Sequence, residues 1–269
     1  MPAYSAVLQE IIMLSRGLGD PARDLAILGE GNTSALVDDS TFLVKASGKE
    51  LRSADEESFV AVSMSRALDV LNGPDLSDAE VRQALLSVKV ELAEFPHTEF
   101  EVQMAKIENP VVPSVETFLH AYLLSLPGIR FVGHTHPSAV NSILCSLHSK
   151  EAISGRLFPD EIVCCGPAVC YVEYTDPGIP LARHLRSRVE EFIVEHNMAP
   201  KVILMENHGF IALGKTTRDV ESITSMYVKS ARILIGTYSL GGPRFLTQEN
   251  VERIHTRPDE HYRQRQIGG

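Results

Sequence analysis

The stretch Ile129-Arg130-Phe131-Val132-Gly133-His134-Thr135-His136-Pro137 decides how this chain is read. Its apolar first half predicts a buried strand over Phe131–His136. Pro127-Gly128 ends the helical pattern upstream, and Pro137, a residue favoured in a first helical turn, opens a helix to Leu147. Side chains two apart on a strand share a face, so His134 and His136 can address one cation. Zinc takes three or four ligands, which leaves at least one to come from elsewhere. His208 is the candidate. It stands in Glu206-Asn207-His208-Gly209, at the turn of an apolar hairpin with arms Val202–Glu206 and Gly209–Leu213. Two histidines at this spacing also occur on solvated strand faces. Both readings stand on the residues alone, and the apolar approach and the turn histidine strengthen the metal one. His97, His148, His184, His196, His255 and His261 lie in polar contexts and are expected at the surface.

N-terminal to the strand, Ser114 to Leu126 reads as a helix with Ser114 as N-cap. Glu116 stands in its first turn. There it either compensates the helix dipole or serves as a general base beside a metal-bound carbonyl. His120, one turn on and on the same face, either packs or supports the carboxylate. Further upstream, Gly29-Glu30-Gly31-Asn32-Thr33-Ser34 lacks the Gly-Lys-Ser/Thr element of a nucleotide-binding loop. With Lys45-Ala46-Ser47-Gly48-Lys49 it offers backbone amides, hydroxyls and two lysines, enough to cradle one phosphate. The same residues also suit two tight turns at hairpin ends.

The remaining pattern interleaves strands and helices. Helices are predicted over Ala3–Leu18, Ser65–Leu71, Ser77–Leu92 (opened by a Ser-Asp-Ala-Glu capping box), Pro180–Glu195 and Thr217–Tyr238. Strands are predicted over Ala35–Val37, Thr41–Lys45, Phe59–Met64, Glu161–Val163 and Val169–Val172. Glu94–Asn109 is polar and unassigned. Short turns between several strands favour an α/β fold whose central, mostly antiparallel sheet is flanked by helices. One domain over residues 1–269 is expected, with a core of about 5–240. The polar tail 241–269 is expected to be partly mobile or to dock on a neighbour.

The totals set limits. With 269 residues, 44% of them apolar and 22% charged, the chain can bury a full core. A net charge of −10 argues against a nucleic-acid partner, which needs clustered Lys and Arg. No apolar run approaches the ~20 residues that span a bilayer, so no membrane partner is expected, and a cytoplasmic protein is. Cys145, Cys164, Cys165 and Cys170 form no paired CxxC motif, and three of them fall in an apolar stretch as expected buried thiols.

Taken in order, Gly31-Asn32-Thr33-Ser34, Ser47-Gly48, Pro113-Ser114-Val115-Glu116, His134-Thr135-His136-Pro137 and Asn207-His208-Gly209 resemble the motifs of the class II aldolase/adducin family. The resemblance covers roughly residues 5–240. It is closest to rhamnulose-1-phosphate aldolases, especially the aldolase part of forms that carry a dehydrogenase; no dehydrogenase portion is expected here. It implies a metal-dependent carbon–carbon lyase acting on a small phosphorylated sugar, and a homotetramer with active sites between subunits. It implies zinc held by His134, His136 and His208, with Mn²⁺ or Co²⁺ as alternatives, and Glu116 as acid/base. Asn32, Ser47, Gly48 and Ser114 would bind the substrate phosphate. Val115 departs from relatives that carry a second Ser there, a loss that Lys45 or Lys49 could offset. Tyr171, Tyr174 and Tyr238 are candidates to protonate the leaving aldehyde. The same site would serve a sugar-phosphate decarboxylase, a dehydratase or a 4-epimerase, although epimerases resembling it commonly have Asp in place of Glu116. A non-catalytic, adducin-like binding module is the other class, and a scaffold has no need of these three histidines and Glu116.

Overall fold

The computed structural model describes residues 2–90 and 111–259. In chain order its elements are α1 (Pro2–Leu18), β1 (Asn32–Leu36), β2 (Thr41–Lys45), β3 (Phe59–Ser63), α2 (Met64–Asn72) and α3 (Asp78–Ser87). Then come α4 (Thr117–Leu124), β4 (Phe131–Thr135), α5 (Ser138–Leu144), α6 (Ser149–Ala152), α7 (Pro159–Cys165) and β5 (Cys170–Val172). The chain continues through α8 (Ile179–His196), β6 (Val202–Met205), β7 (Gly209–Gly214), α9 (Thr217–Tyr238) and α10 (Gln248–Thr256). The unassigned segment Glu94–Asn109 lies outside the described residues.

The seven strands form one sheet in the order β3-β2-β1-β4-β7-β6-β5, antiparallel except for the β5–β6 pair. This is the helix-flanked, mostly antiparallel α/β sheet that the strand pattern predicts. The first hairpin turns on Asp38, whose carboxylate accepts the backbone N–H groups of Ser40 and Thr41 at 2.8 and 2.9 Å. Helices cover both faces, so the strands are apolar on both sides. One core joins Ile11, Leu14 and Leu18 of α1 to Phe131, Phe210 and Val220. The other joins Phe118 and Leu119 of α4 and Leu185 and Val189 of α8 to Phe42, Val132 and Ile211. Every residue of α4 is buried, as befits a helix apolar all round. Among the described residues no helix is long and apolar enough to cross a membrane.

Several expectations are corrected. Glu161–Val163 is part of the helix α7: Pro159 occupies its first turn, and the Glu161 carboxylate accepts the Leu157 N–H at 2.8 Å. Those start signals outweigh the β-branched pair Ile162-Val163. Cys164 and Cys165 therefore lie on a helix, and only Cys170 lies on a strand. The helix after Pro137 stops at Leu144. Ser114 is no N-cap. Its N–H bonds the Lys45 carbonyl at 3.2 Å, which holds it in extended pairing beside β2, and α4 begins only at Thr117 with Glu116 in the capping position. Up to Thr256 the tail docks on its own chain: Leu246 N–H bonds the Arg156 carbonyl at 2.8 Å and Val251 of α10 is buried.

Gly133 is the point where two helices reach the centre of the sheet. A Cβ there would lie 2.6 Å from Val220 Cγ1 and 2.9 Å from Leu18 Cδ1. Gly133→Ala should cost about 1–3 kcal/mol, read by urea unfolding of the metal-free protein. Parent-like stability would mean that α1 and α9 do not press on β4 there.

Candidate metal centre

The site forms where β1, β4 and β7 end beside α4. Asn32 on β1 pairs with His134 on β4, and His134 with Ile211 on β7. His134 is fully buried on the same sheet face as Val132, and its Nδ1 lies 3.0 Å from the Phe210 carbonyl. His136 follows on the same face, with its backbone N–H on the Leu25 carbonyl at 2.8 Å. His208 sits in the β6–β7 turn. That turn needs a left-handed residue at Asn207 (φ 52°), a conformation Asn tolerates, and Asn141 Nδ2 donates to the His208 carbonyl at 3.1 Å.

The three rings meet edge-on, with centroids 4.7, 5.0 and 5.2 Å apart. One ligand nitrogen from each ring lies within 4.8 Å of the others. His134 Nε2 and His136 Nε2 face each other at 3.0 Å. Hydrogen bonds from Nδ1–H of His134 and His136 leave both Nε2 lone pairs bare, and bare lone pairs repel unless a cation lies between them. Two Zn–N bonds of about 2.0–2.1 Å at a tetrahedral angle would place such nitrogens about 3.4 Å apart. The donor set therefore fits a zinc ion. Gly209 keeps the space open: a Cβ there would stand 2.6 Å from His136 Cδ2 and 3.0 Å from His134 Cε1.

Glu116 faces this cluster. Its Oε1 lies 3.1 Å from His208 Nε2 and its Oε2 3.5 Å from His134 Nε2. Burial pushes its pKa up, yet His134, His208 and Asn32 outweigh burial and hold the carboxyl well below its usual range. Burial pushes His134 down to about 3 against the upward pull of Glu116, and it lowers His136 as well. Neutral imidazole is the form that binds a metal.

A buried relay holds the carboxylate. Asn32 Nδ2 donates to Glu116 Oε2 at 2.5 Å and to Ser114 Oγ at 3.1 Å. Its Oδ1 takes the Nε2–H of His120, whose Nδ1 then accepts from Ser34 Oγ at 2.6 Å. A carboxylate only accepts, so this fixes the Asn32 amide and the His120 tautomer together. Burial pushes His120 down to about 4, which keeps it neutral for that double role. His120 thus supports the carboxylate through Asn32.

The other expected residues lie close by. The backbone bridge between Ala46 and Pro113 brings exposed Ser47 and Gly48 beside buried Ser114. Gly48 has φ 76°. Lys45 does not reach that opening: its Nζ is enclosed by the carbonyls of Gly29, Ala46 and Lys49 at 3.4, 3.4 and 2.5 Å. Of the tyrosine candidates, Tyr171 bonds Ser149 at 2.8 Å, while Tyr174 and Tyr238 are about half exposed. Sequence reading passed over Glu30, whose Oε2 lies 3.2 Å from His136 Nδ1. Its one signal was an acid between two glycines, two residues before Asn32.

Sheet and site together define a class of fold: a helix-flanked, mostly antiparallel sheet whose strand ends carry three histidines able to hold one metal ion. The profile described as Class II Aldolase and Adducin N-terminal domain matches residues 9–235, and the chain belongs to that family. It is 25% identical over 232 residues to the uncharacterized oxidoreductase YuxG of Bacillus subtilis, covering 83% of this chain and 29% of YuxG; it thus spans under a third of that relative's length. It is 26% identical over 229 residues to the methylthioribulose-1-phosphate dehydratase of Bacillus subtilis, covering 84% of this chain and 91% of the dehydratase. A solved L-fuculose 1-phosphate aldolase shares the fold, with a TM-score of 0.64 at 19% identity over 93% of this chain and 95% of that one.

Asn32→Asp would set a second carboxylate against Glu116. Two carboxylates in contact cannot both stay ionised, so one native pKa rises above the unfolded value of about 4. The native state then binds more protons than the unfolded one, and its stability falls as pH rises through that window. The metal-free variant should be about 1–3 kcal/mol less stable than the parent at neutral pH. The deficit should shrink as pH falls toward about 4. Urea unfolding at several pH values tests this, and a pH-independent deficit would count against the Asn32–Glu116 contact.

Proposed function

We propose that the chain is a zinc-dependent class II aldolase. It would cleave a ketose 1-phosphate, such as rhamnulose or fuculose 1-phosphate, to dihydroxyacetone phosphate and an aldehyde. The observation that carries this reading is the Glu116 carboxylate, 3.1 Å from His208 Nε2 and locked by Asn32, at the edge of a three-imidazole cluster. His134, His136 and His208 would hold the ion, which when bound supplies a Lewis acid for a carbonyl oxygen.

The chain's own residues have separate tasks. Ser114, with Ser47 and Gly48 alongside, would anchor the phosphate and fix the distance from C1 to the reacting carbons. Asn32 would keep Glu116 pointed at the reacting carbon; its amide protons already serve Glu116 and Ser114. In the cleavage direction the C4 hydroxyl would pass its proton to the Glu116 carboxylate as the C3–C4 bond breaks. The bond's electron pair stays on C3, delocalised into the C2 carbonyl, and the aldehyde leaves. Glu116, carrying a proton, delivers it to C3. In reverse, its carboxylate takes that proton back.

A second reading rests on one observation, the match to a methylthioribulose-1-phosphate dehydratase over 91% of that relative. A dehydratase would use the same base at C3 and expel the C4 hydroxyl as water instead of cleaving C3–C4. The protein would be cytoplasmic and a homotetramer with sites between subunits. Ile27 and Leu28, 64% and 74% exposed on the loop that carries Glu30, support a covered position for that loop. Light scattering should report four chains per particle, and a monomer would remove the shared-site reading.

The zinc-loaded protein incubated with dihydroxyacetone phosphate in deuterated water should exchange one carbon-bound proton, followed by NMR. Glu116→Gln should keep its zinc and exchange roughly a hundredfold to ten-thousandfold more slowly. Water loss from a ketose 1-phosphate without aldehyde release would install the dehydratase reading instead. Exchange at the parent rate in the variant would remove Glu116 from the chemistry.

A further inference from the structure

We propose that Glu30 is a positioning residue of the metal centre, acting through His136; the inference rests on the zinc reading given above. Of the three imidazoles, His134 turns its Nδ1 to a neutral backbone carbonyl, that of Phe210, at 3.0 Å. His136 turns its Nδ1 to a carboxylate, Glu30 Oε2, at 3.2 Å. The pair is partly shielded, the His136 side chain being 19% exposed and that of Glu30 31%. Accepting the Nδ1 proton fixes His136 in the tautomer that leaves Nε2 bare toward His134, and the negative charge makes that nitrogen a stronger donor.

Glu30 is itself held. Its Oε1 accepts the Ile27 N–H at 2.7 Å, and its own N–H bonds the Ile27 carbonyl at 3.2 Å. The loop it closes bends through Leu28 at φ 51° and Gly31 at φ 68°. A Cβ at Gly31 would stand 2.7 Å from the His134 carbonyl, so the loop lies against β4. The same loop bonds the His136 backbone through Leu25 at 2.8 Å. One acidic side chain therefore closes the loop with one oxygen and orients a ligand with the other. The β1–β4 register leads to the same place. Asn32 pairs with His134 as the last pair of the two strands, and just beyond it, past the bend at Gly31, the Glu30 carboxylate meets His136 Nδ1.

The test is zinc affinity measured by competition with a chromophoric chelator, in the parent, Glu30→Ala, Glu30→Gln and the same changes in a His136→Ala background. Glu30→Ala should bind zinc about 10–100-fold more weakly. Glu30→Gln loses the charge and keeps one acceptor oxygen, able to serve either the His136 Nδ1–H or the Ile27 N–H, so it should fall between. In the His136→Ala background neither change should weaken binding further, because the ring through which Glu30 acts is gone. Circular dichroism and thermal unfolding of the metal-free proteins check the fold; if Glu30→Ala does not fold, Glu30→Gln and its His136→Ala cycle decide. Parent-like affinity in the folded variants, or an equal loss without His136, would overturn the assignment of Glu30 while leaving the zinc centre in place. A parent protein that binds no zinc would overturn the metal reading and this inference together.

Discussion

The antiparallel register of β1, β4 and β7 is the constraint on which the site depends. Asn32 lies opposite His134, and His134 opposite Ile211. Just past these pairs, His136 lies against the Glu30 carboxylate on one side and Gly209 on the other. A slip of one residue would turn Asn32 and His134 to opposite faces of the sheet. Apolar cores on both faces forbid such a slip, since it would exchange every inward side chain of three strands. Chemistry at the strand ends is thus fixed by hydrocarbon packing in the middle of the sheet.

The helix α4 supplies the opposing group at a cost the structure visibly meets. Burying a carboxylate is expensive unless it is hydrogen-bonded, and Glu116 is 6% exposed. The amide of Asn32 and the ring of His208 answer it directly, and His120 and Ser34 answer Asn32 in turn. Every ionisable or amide group in that chain has a partner, so the arrangement can persist inside an apolar layer. It also explains a histidine in the middle of an otherwise apolar helix. The His120 ring lies between two β1 side chains, Asn32 and Ser34, that share the face packed against α4.

Much of this was legible in the sequence, for identifiable reasons. The period of a strand puts His134 and His136 on one face, and a turn histidine between two apolar runs has few places to go. Glu116 was legible as an acid near a helix start. Ser114 was misread as the cap because its local bonds, from the Glu116 and Thr117 N–H groups, resemble a cap, while its pairing to Lys45 and Asn32 lies far away in sequence and no local pattern reports it. Glu161–Val163 was misread because a β-branched pair drew attention from the proline that begins the helix. Glu30 was passed over for a deeper reason. Its role follows from where the loop before β1 comes to lie against the residues after β4, and that placement is a long-range quantity that neither segment states alone.

The same loop links two ends of the site. Residues 25–31 hold His136 through Leu25 and Glu30, and they offer the Gly29 carbonyl to the buried amine of Lys45. Burial pulls Lys45 down to about 8, but three carbonyls surround its Nζ, so its work is to brace this loop against residues 46–49. That arrangement answers the departure at Val115. The missing hydroxyl is not replaced by the ammonium of Lys45, which is turned inward; a phosphate bound there would meet only the open loop at Ser47 and Gly48 and the hydroxyl of Ser114. Because Lys45 lies on the strand leading into Ser47-Gly48 and also grips the loop that carries Glu30, a change at Ser47-Gly48 reaches the imidazoles through one short, hydrogen-bonded segment. The histidine cluster and the Ser47-Gly48 loop are thus joined by one hydrogen-bonded segment, and substitutions that loosen either end should be felt at the other.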